Sequence, residues 1–233
     1  MYTTVPVPVP GIGIWIGQLP TLQDRYESAR NMLSREELDR AASFYFEKDR
    51  LRFVLSRGML RELLGHHLQQ APDALIFSFN TFGKPMLIPS AEGKSIQFNL
   101  SHSADLISVI LSNDPVGIDI EQIRPDMDTD PLVRNYFSTE EAAAYFSVPP
   151  ERRNLLFFRI WTRKEAFIKA TGQGLMMPLK RFSVMGDDPG TPSFQLRTSD
   201  GLYELFDIDP GKEGYVGAFC REVGLEGVFS ANV

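Results

Sequence analysis

The 233-residue chain predicts an α+β fold built as two halves of similar construction. Three observations point there. Segments of helical period give way to short β-like runs twice along the chain, and a capping-box tetrad opens a helical segment in each block. The length suffices for two packed halves of roughly 115 residues each. No alignable internal repeat accompanies this duplication of pattern. The organisation read from it is a flexible N-terminal arm over 1–10, a first α+β half over 11–115 and a second over 116–233.

The elements follow in order. Prolines at 6, 8 and 10 oppose a helix in MYTTVPVPVP, and with neither a basic start nor a continuous apolar stretch it reads as a frayed arm, not a signal peptide. In GIGIWIG, Ile12, Ile14 and Ile16 fall on one face of a short strand and Trp15 on the other. These glycines lack the spacing of a dinucleotide loop, and no helix opens directly after them. Ser34 with Glu37 is a capping box that starts a helix running to about Lys48. A second helix follows, with Leu51, Val54, Leu55, Met59 and Leu63 on a buried face and Arg50, Arg57 and Arg61 together on another. His66-His67 near its end suits the helix dipole better than a metal, since no third ligand is evident.

Between Leu75 and Ile120 come short β-like runs: LIFSFNTF, a GKP turn, SIQFNLS, LISVILS and VGIDI, read as an antiparallel meander. Residues 124–135 read as a surface connection. Ser138 with Glu141 forms the second capping box, and 152–170 is the longest helix candidate, ending at Gly172. From Arg181 onward β-like runs return as RFSVM, SFQLR, LYELFDI and GYVGAFC.

With 43% hydrophobic and 23% charged residues the composition is that of an ordinary globular chain, which excludes disorder, collagen and a coiled-coil rod. The net charge of −6 argues against a nucleic-acid-gripping surface. Arg25 to Arg61 nevertheless holds 9 basic against 6 acidic side chains, a region able to receive an anion. No run approaches the roughly 20 apolar residues that span a bilayer. The single cysteine, Cys220, cannot form an internal disulfide, which suits a reducing, cytoplasmic setting, and its apolar surroundings place it in the core.

The side chains able to do chemistry are few. Asp119 and Glu121 alternate with Ile118 and Ile120, so a strand points both carboxylates to one face. Water screens that pair, or one member is protonated, or a cation lies between them; an arbitrary D-x-E is most often a solvated strand face. As oxygen donors they favour Mg²⁺ or Mn²⁺ over zinc. Trp161, Glu165 and Lys169 share one helix face, either as a solvated Glu–Lys pair or, near the strand carboxylates, as a third metal ligand or general base with a phosphate-facing ammonium. Lys84 sits in a fixed turn between Gly83 and Pro85. Ser101 and His102, adjacent on a strand, point apart and suit anion binding better than a nucleophile pair.

The order of these features is the stronger signal. FGKP (82–85), FNLSHS (98–103), VGIDIE (116–121), FSTEE (137–141) and WTRKEAFIKATGQGL (161–175) together resemble the Sfp-type 4′-phosphopantetheinyl transferases, from about Phe44 through Leu175. The resemblance implies two pseudosymmetric halves with the active site in the cleft between them, acting as a monomer. It implies coenzyme A as substrate and transfer of its phosphopantetheine arm to a serine of an acyl, peptidyl or aryl carrier protein, releasing 3′,5′-ADP. Asp119, Glu121 and Glu165 would hold Mg²⁺; Glu165 would be the base and Lys169 would stabilise phosphate charge. Arg52, Gly83, Lys84, Pro85, Ser101, His102, Asp119 and Lys169 would bind coenzyme A, Arg52 at the 3′-phosphate. Upstream the chain departs from its relatives, with Glu36-Glu37 and then Arg40 where some carry lysines, and Phe53 in place of a hydroxyl. The carrier would dock near the segment after Gly172 and the loop at 122–137, with Leu175, Met176 and Met177 as contacts or as core. The alternatives are an Mg²⁺-dependent nucleotide pyrophosphate hydrolase and a non-catalytic module that binds coenzyme A or carriers.

Overall fold

A computed structural model describes residues 2–88, 96–174, 177–186, 191–199 and 201–223. The first half contains β1 (Thr3–Val5), β2 (Gly13–Gln18), α1 (Leu19–Leu22), α2 (Tyr26–Asn31), α3 (Arg35–Ala42), α4 (Glu47–Leu68), β3 (Phe77–Phe79), β4 (Pro85–Leu87), β5 (Gln97–Ser103) and β6 (Leu106–Ser112). The second contains β7 (Val116–Gln122), α5 (Asp130–Tyr136), α6 (Thr139–Ser147), α7 (Pro150–Thr171), β8 (Ser193–Arg197), β9 (Leu202–Ile208) and β10 (Tyr215–Val223). Each half has one four-stranded antiparallel sheet, ordered β1-β2-β6-β5 in the first and β7-β10-β9-β8 in the second. The strand before the helices pairs with the last strand of its half, and a 22-residue helix, α4 or α7, packs beside it. The fold is therefore α+β, duplicated in plan.

Several local expectations change. The arm is not frayed over Thr3–Val5, which pairs with β2 from Thr3↔Ile16 to Val5↔Ile14, while Val9 is buried. Prolines forbid a helix there but leave an edge strand open. Helix α3 keeps its capping box but stops at Ala42; Glu47 and Lys48 belong to the first turn of α4. VGIDI opens the second sheet and does not continue the meander. Within 124–135 the chain turns helical at Asp130, because Val133 is fully buried against the second core. The run RFSVM forms no strand; the Val184 N–H goes to the buried Glu141 carboxylate at 2.8 Å.

The cores explain the alternation in β2 and β7. Trp15 packs towards α4 with Val54, Met59, Leu60, Phe98 and Val109. Ile14, Val116, Ile118 and Phe219 meet at the seam between the sheets, and Ile16 joins Ile120 there. The second core is rich in aromatic side chains, with Phe157 stacked on Phe137 at 5.4 Å and Phe167 edge-on to Tyr203 at 5.0 Å.

Two buried ion pairs fasten helices to this frame. Glu141 of α6 meets Lys164 of α7 at 2.8 Å, both wholly buried, and the Lys164 ammonium also donates to the carbonyls of Leu179 and Phe182. Arg61, 1% exposed, donates to Glu37 at 2.8 Å and to the carbonyls of Pro72 and Leu75. Arg61 thus leaves the exposed arginine face that helical spacing suggests, and Arg57 turns to the same Glu37 at 3.7 Å. Arg25 also pairs with Glu62 and Arg52 with Asp49, so several cations of 25–61 already have internal partners.

Candidate active site

The two sheets abut along β5 and β7 through side chains. Asn99 Oδ1 accepts from Ile118 N at 3.0 Å, Ser101 Oγ from Ile120 N at 3.4 Å and Ser103 Oγ from Gln122 N at 3.0 Å. Every second residue of β5 therefore bonds every second residue of β7, in parallel sense. The same hydroxyls reach the carboxylates: Ser101 donates to Asp119 Oδ1 at 2.8 Å and Ser103 to Glu121 Oε2 at 2.6 Å. Asn99 and Ser103 were not singled out by sequence reasoning, although the period-2 spacing of polar residues in FNLSHS is the signal that marks them. Ser101, expected at an anion, donates here to Asp119.

From α7, the Lys169 ammonium lies 2.7 Å from Asp119 Oδ1, 3.2 Å from Ser101 Oγ and 3.2 Å from the Ile118 carbonyl. This approach requires a glycine. A Cβ on Gly117 would stand 2.1 Å from the Ala166 carbonyl oxygen and 2.4 Å from Ala170 N, so only a bare backbone lets β7 pass so close to α7. Glu165, one turn before Lys169, shares this neighbourhood. Burial raises its pKa; Lys169 offsets part of that shift, and Asp119 and Glu121 add to it. Burial also raises Glu121, with the Ser103 hydrogen bond opposing and Asp119 reinforcing. Both shifts reflect the cost of crowding carboxylates in a poorly hydrated cleft.

Asp119 is 4% exposed, and its Oδ2 is buried without a hydrogen-bond partner. An unpartnered carboxylate oxygen is expensive, and a cation is what such an atom accommodates. Among the described residues no three His, Cys, Asp or Glu side chains already stand together as a metal cage. The oxygen-only donor set of Asp119, Glu121 and Glu165 nevertheless fits a hard divalent cation.

The nucleotide-side residues divide. His102 stays accessible at the end of β5, and its pKa is lowered by burial of the ring and then by Arg52, with Lys169 contributing further. Arg52 and Lys169 are thus the cations that act on this ring. Lys84 is not among them. Its ammonium, expected at a ligand, donates to the carbonyls of Lys169 at 2.6 Å, Val116 at 3.2 Å and Ala170 at 3.4 Å. Gly83, at φ +82°, and Pro85 shape the turn that delivers it. On the other side of Glu165 lies a cavity of about 670 Å³ lined by Leu132, Tyr136, Trp161, Met177, Pro178 and neighbouring side chains. Trp161 stacks on Phe157 at 5.7 Å and meets Tyr136 edge-on. Leu175 and Met176 lie outside the described residues.

Two duplicated α+β halves, with the Asp119, Glu121, Glu165 and Lys169 cluster of one meeting Ser101 and Ser103 of the other at their seam, define the class of protein. Comparison with known proteins narrows that class. Residues 115–220 match the 4′-phosphopantetheinyl transferase superfamily profile, and residues 19–114 match that of the 4′-phosphopantetheinyl transferase N-terminal region. The chain is 36% identical over 165 residues to the 4′-phosphopantetheinyl transferase HetI of Nostoc sp., covering 70% of each chain. It is 29% identical over 203 residues to Sfp of Bacillus subtilis, covering 85% of this chain and 87% of that one, and 32% identical over 204 residues to psf-1 of Bacillus pumilus, covering 83% and 84%. The chain belongs to the 4′-phosphopantetheinyl transferase family and is an enzyme of that type. No described helix is long and apolar enough to cross a membrane.

Proposed function

We propose that this enzyme moves the 4′-phosphopantetheine group of coenzyme A to a serine hydroxyl of an apo acyl, peptidyl or aryl carrier protein, releasing 3′,5′-ADP. The observation that carries the reading is the Ser101–Asp119–Lys169 cluster beside Glu165, with a buried carboxylate oxygen left for a cation. A phosphoryl-type transfer asks a protein mainly to position groups and neutralise charge, which is what such a cluster does.

Asp119, Glu121 and Glu165 would hold Mg²⁺, with Mn²⁺ as the substitute, and a bound ion would supply charge withdrawal from the attacked phosphorus and stabilisation of the leaving phosphate. Ser101 and Ser103 orient two of these carboxylates through hydrogen bonds. Lys169 faces the phosphates while leaning on Asp119, and Arg52 and His102 receive the nucleotide end, Arg52 at the 3′-phosphate. The Gly83-Lys84-Pro85 turn borders that end with its backbone. Glu165 takes the proton of the carrier serine. The serine Oγ–P bond forms as the pyrophosphate P–O bond breaks, and 3′,5′-ADP leaves.

The cavity beside Glu165, lined by Tyr136 from the end of α5 and Met177 from the segment after Gly172, supports entry of the carrier from that side. Because one chain supplies both halves of the site, we read the active form as a monomer. With a single cysteine, Cys220, and so no internal disulfide, we read the setting as a reducing cytoplasm.

Intact mass of an apo carrier incubated with the enzyme, coenzyme A and Mg²⁺ tests the reading. A gain of about 340 Da, absent with EDTA and with Glu165→Ala, is expected. No gain across acyl and peptidyl carriers, with coenzyme A consumed in their absence, overturns it in favour of hydrolysis.

A further inference from the structure

We propose that Lys84 is a positioning residue: an ammonium from the first half that caps the C-terminus of α7 in the second and thereby sets where Lys169 stands against Asp119. The last carbonyls of a helix lack intrahelical donors and carry partial negative charge. In α7, the Ile168 carbonyl receives the N–H of Gly172, at φ +69°, over 3.0 Å. Lys84 Nζ supplies the next two, at 2.6 Å to Lys169 and 3.4 Å to Ala170, and adds the Val116 carbonyl at the start of β7. An ammonium has three donors, and here three carbonyls take them, leaving none for a ligand.

The neighbouring turn is built to deliver this cation. Asn80 Oδ1 accepts from the N–H groups of Phe82 and Lys84, both at 2.9 Å, and Asn80 Nδ2 donates to the Gly172 carbonyl at 2.9 Å. Gly172 suits the contact, since a Cβ there would lie 3.3 Å from Asn80 Nδ2 and 3.5 Å from Lys84 Cδ. One hairpin turn therefore binds the end of α7, which carries Glu165 and Lys169, to the start of β7, which carries Asp119 and Glu121. Sliding either element would separate Lys169 from Asp119.

The activity arm of the test rests on the transferase reading; the exchange arm does not. In Lys84→Met, amides in the last turn of α7 exchange hydrogen at least about tenfold faster, while those of α6 are unchanged. The kcat for carrier modification falls about tenfold or more, with KM for coenzyme A held within about threefold. Adding Lys84→Met to Lys169→Met costs less than about a further twofold, because both act through one ammonium. Asn80→Ala shows the same exchange signature more weakly and serves if Lys84→Met does not fold. Unchanged exchange overturns the proposal, as do losses that multiply in the double variant. A raised KM for coenzyme A with kcat retained also overturns it, returning the ammonium to the ligand. Should the wild type transfer nothing, the functional reading falls while exchange still decides the cap.

Discussion

Lys169 Nζ and Asp119 Oδ1 meet at 2.7 Å across 50 positions of sequence, and Ser101, from the other half, bonds both. Three elements thus converge on one carboxylate oxygen, leaving the second buried and open. Asp119→Ala removes the point of convergence, and carrier modification should fall a hundredfold or more. That is about 3 kcal/mol of transition-state stabilisation, read as initial rates by intact mass. Near-normal rates would remove Asp119 from the centre.

Glu165 trades stability for chemistry. A carboxyl whose folded pKa is raised contributes stability that is present below its unfolded pKa and lost as pH rises through the folded one. Glu165→Gln abolishes the charge and keeps that stability at neutral pH. The metal-free variant should therefore melt above wild type at about pH 7, with the difference closing towards about pH 4. Mg²⁺ should raise the wild-type Tm, and EDTA reverse the rise, with little response in the variant. Calorimetry across that pH range checks both, and a variant less stable than wild type at neutral pH would contradict the cost assigned to this carboxyl.

Gly117 makes the crossing of β7 and α7 possible. A Cβ 2.1 Å from a backbone oxygen cannot be absorbed by rotating a side chain, so Gly117→Ala must move the strand or the helix. Overpacking of this kind costs roughly 1–3 kcal/mol, and more where backbone is met. Urea denaturation should report that loss, and transfer should fall further than stability explains, because Asp119 moves away from Lys169.

Arg52 offers a cleaner test of the nucleotide end. It pairs with Asp49 at 2.7 Å, and its side chain is 28% exposed, so removing the pair costs at most about 1 kcal/mol of stability. Arg52→Ala should weaken coenzyme A about tenfold or more while leaving 3′-dephospho-coenzyme A nearly unchanged, measured by calorimetric titration. Equal losses for the two ligands would place the 3′-phosphate elsewhere.

Features legible in the sequence are those encoded between near neighbours. Ser34 with Glu37 and Ser138 with Glu141 each close a reciprocal capping box, because both partners lie within one turn. The alternation of Ile118 and Ile120 with Asp119 and Glu121 showed which side of β7 is apolar, and Gly172 marked the end of α7. The motif order pointed to the family before any coordinate did. Local pattern was less informative where a distant partner competes. Helix α3 stops at Ala42, Arg61 leaves the solvent for Glu37 and two carbonyls, and Thr3–Val5 becomes an edge strand on β2.

The sequence by itself determined the duplicated α+β plan, the helix starts, the faces of the strands and the identity of the acidic and basic side chains at the centre. Only the tertiary structure decided what those side chains touch. Ser101 orients Asp119 because β5 and β7 run side by side, and the Lys84 ammonium faces backbone because its turn lies over the end of α7. Periodicity and capping depend on residues a turn or a pleat apart, whereas the partner of a buried charge depends on how the whole chain closes, and no local pattern carries that information.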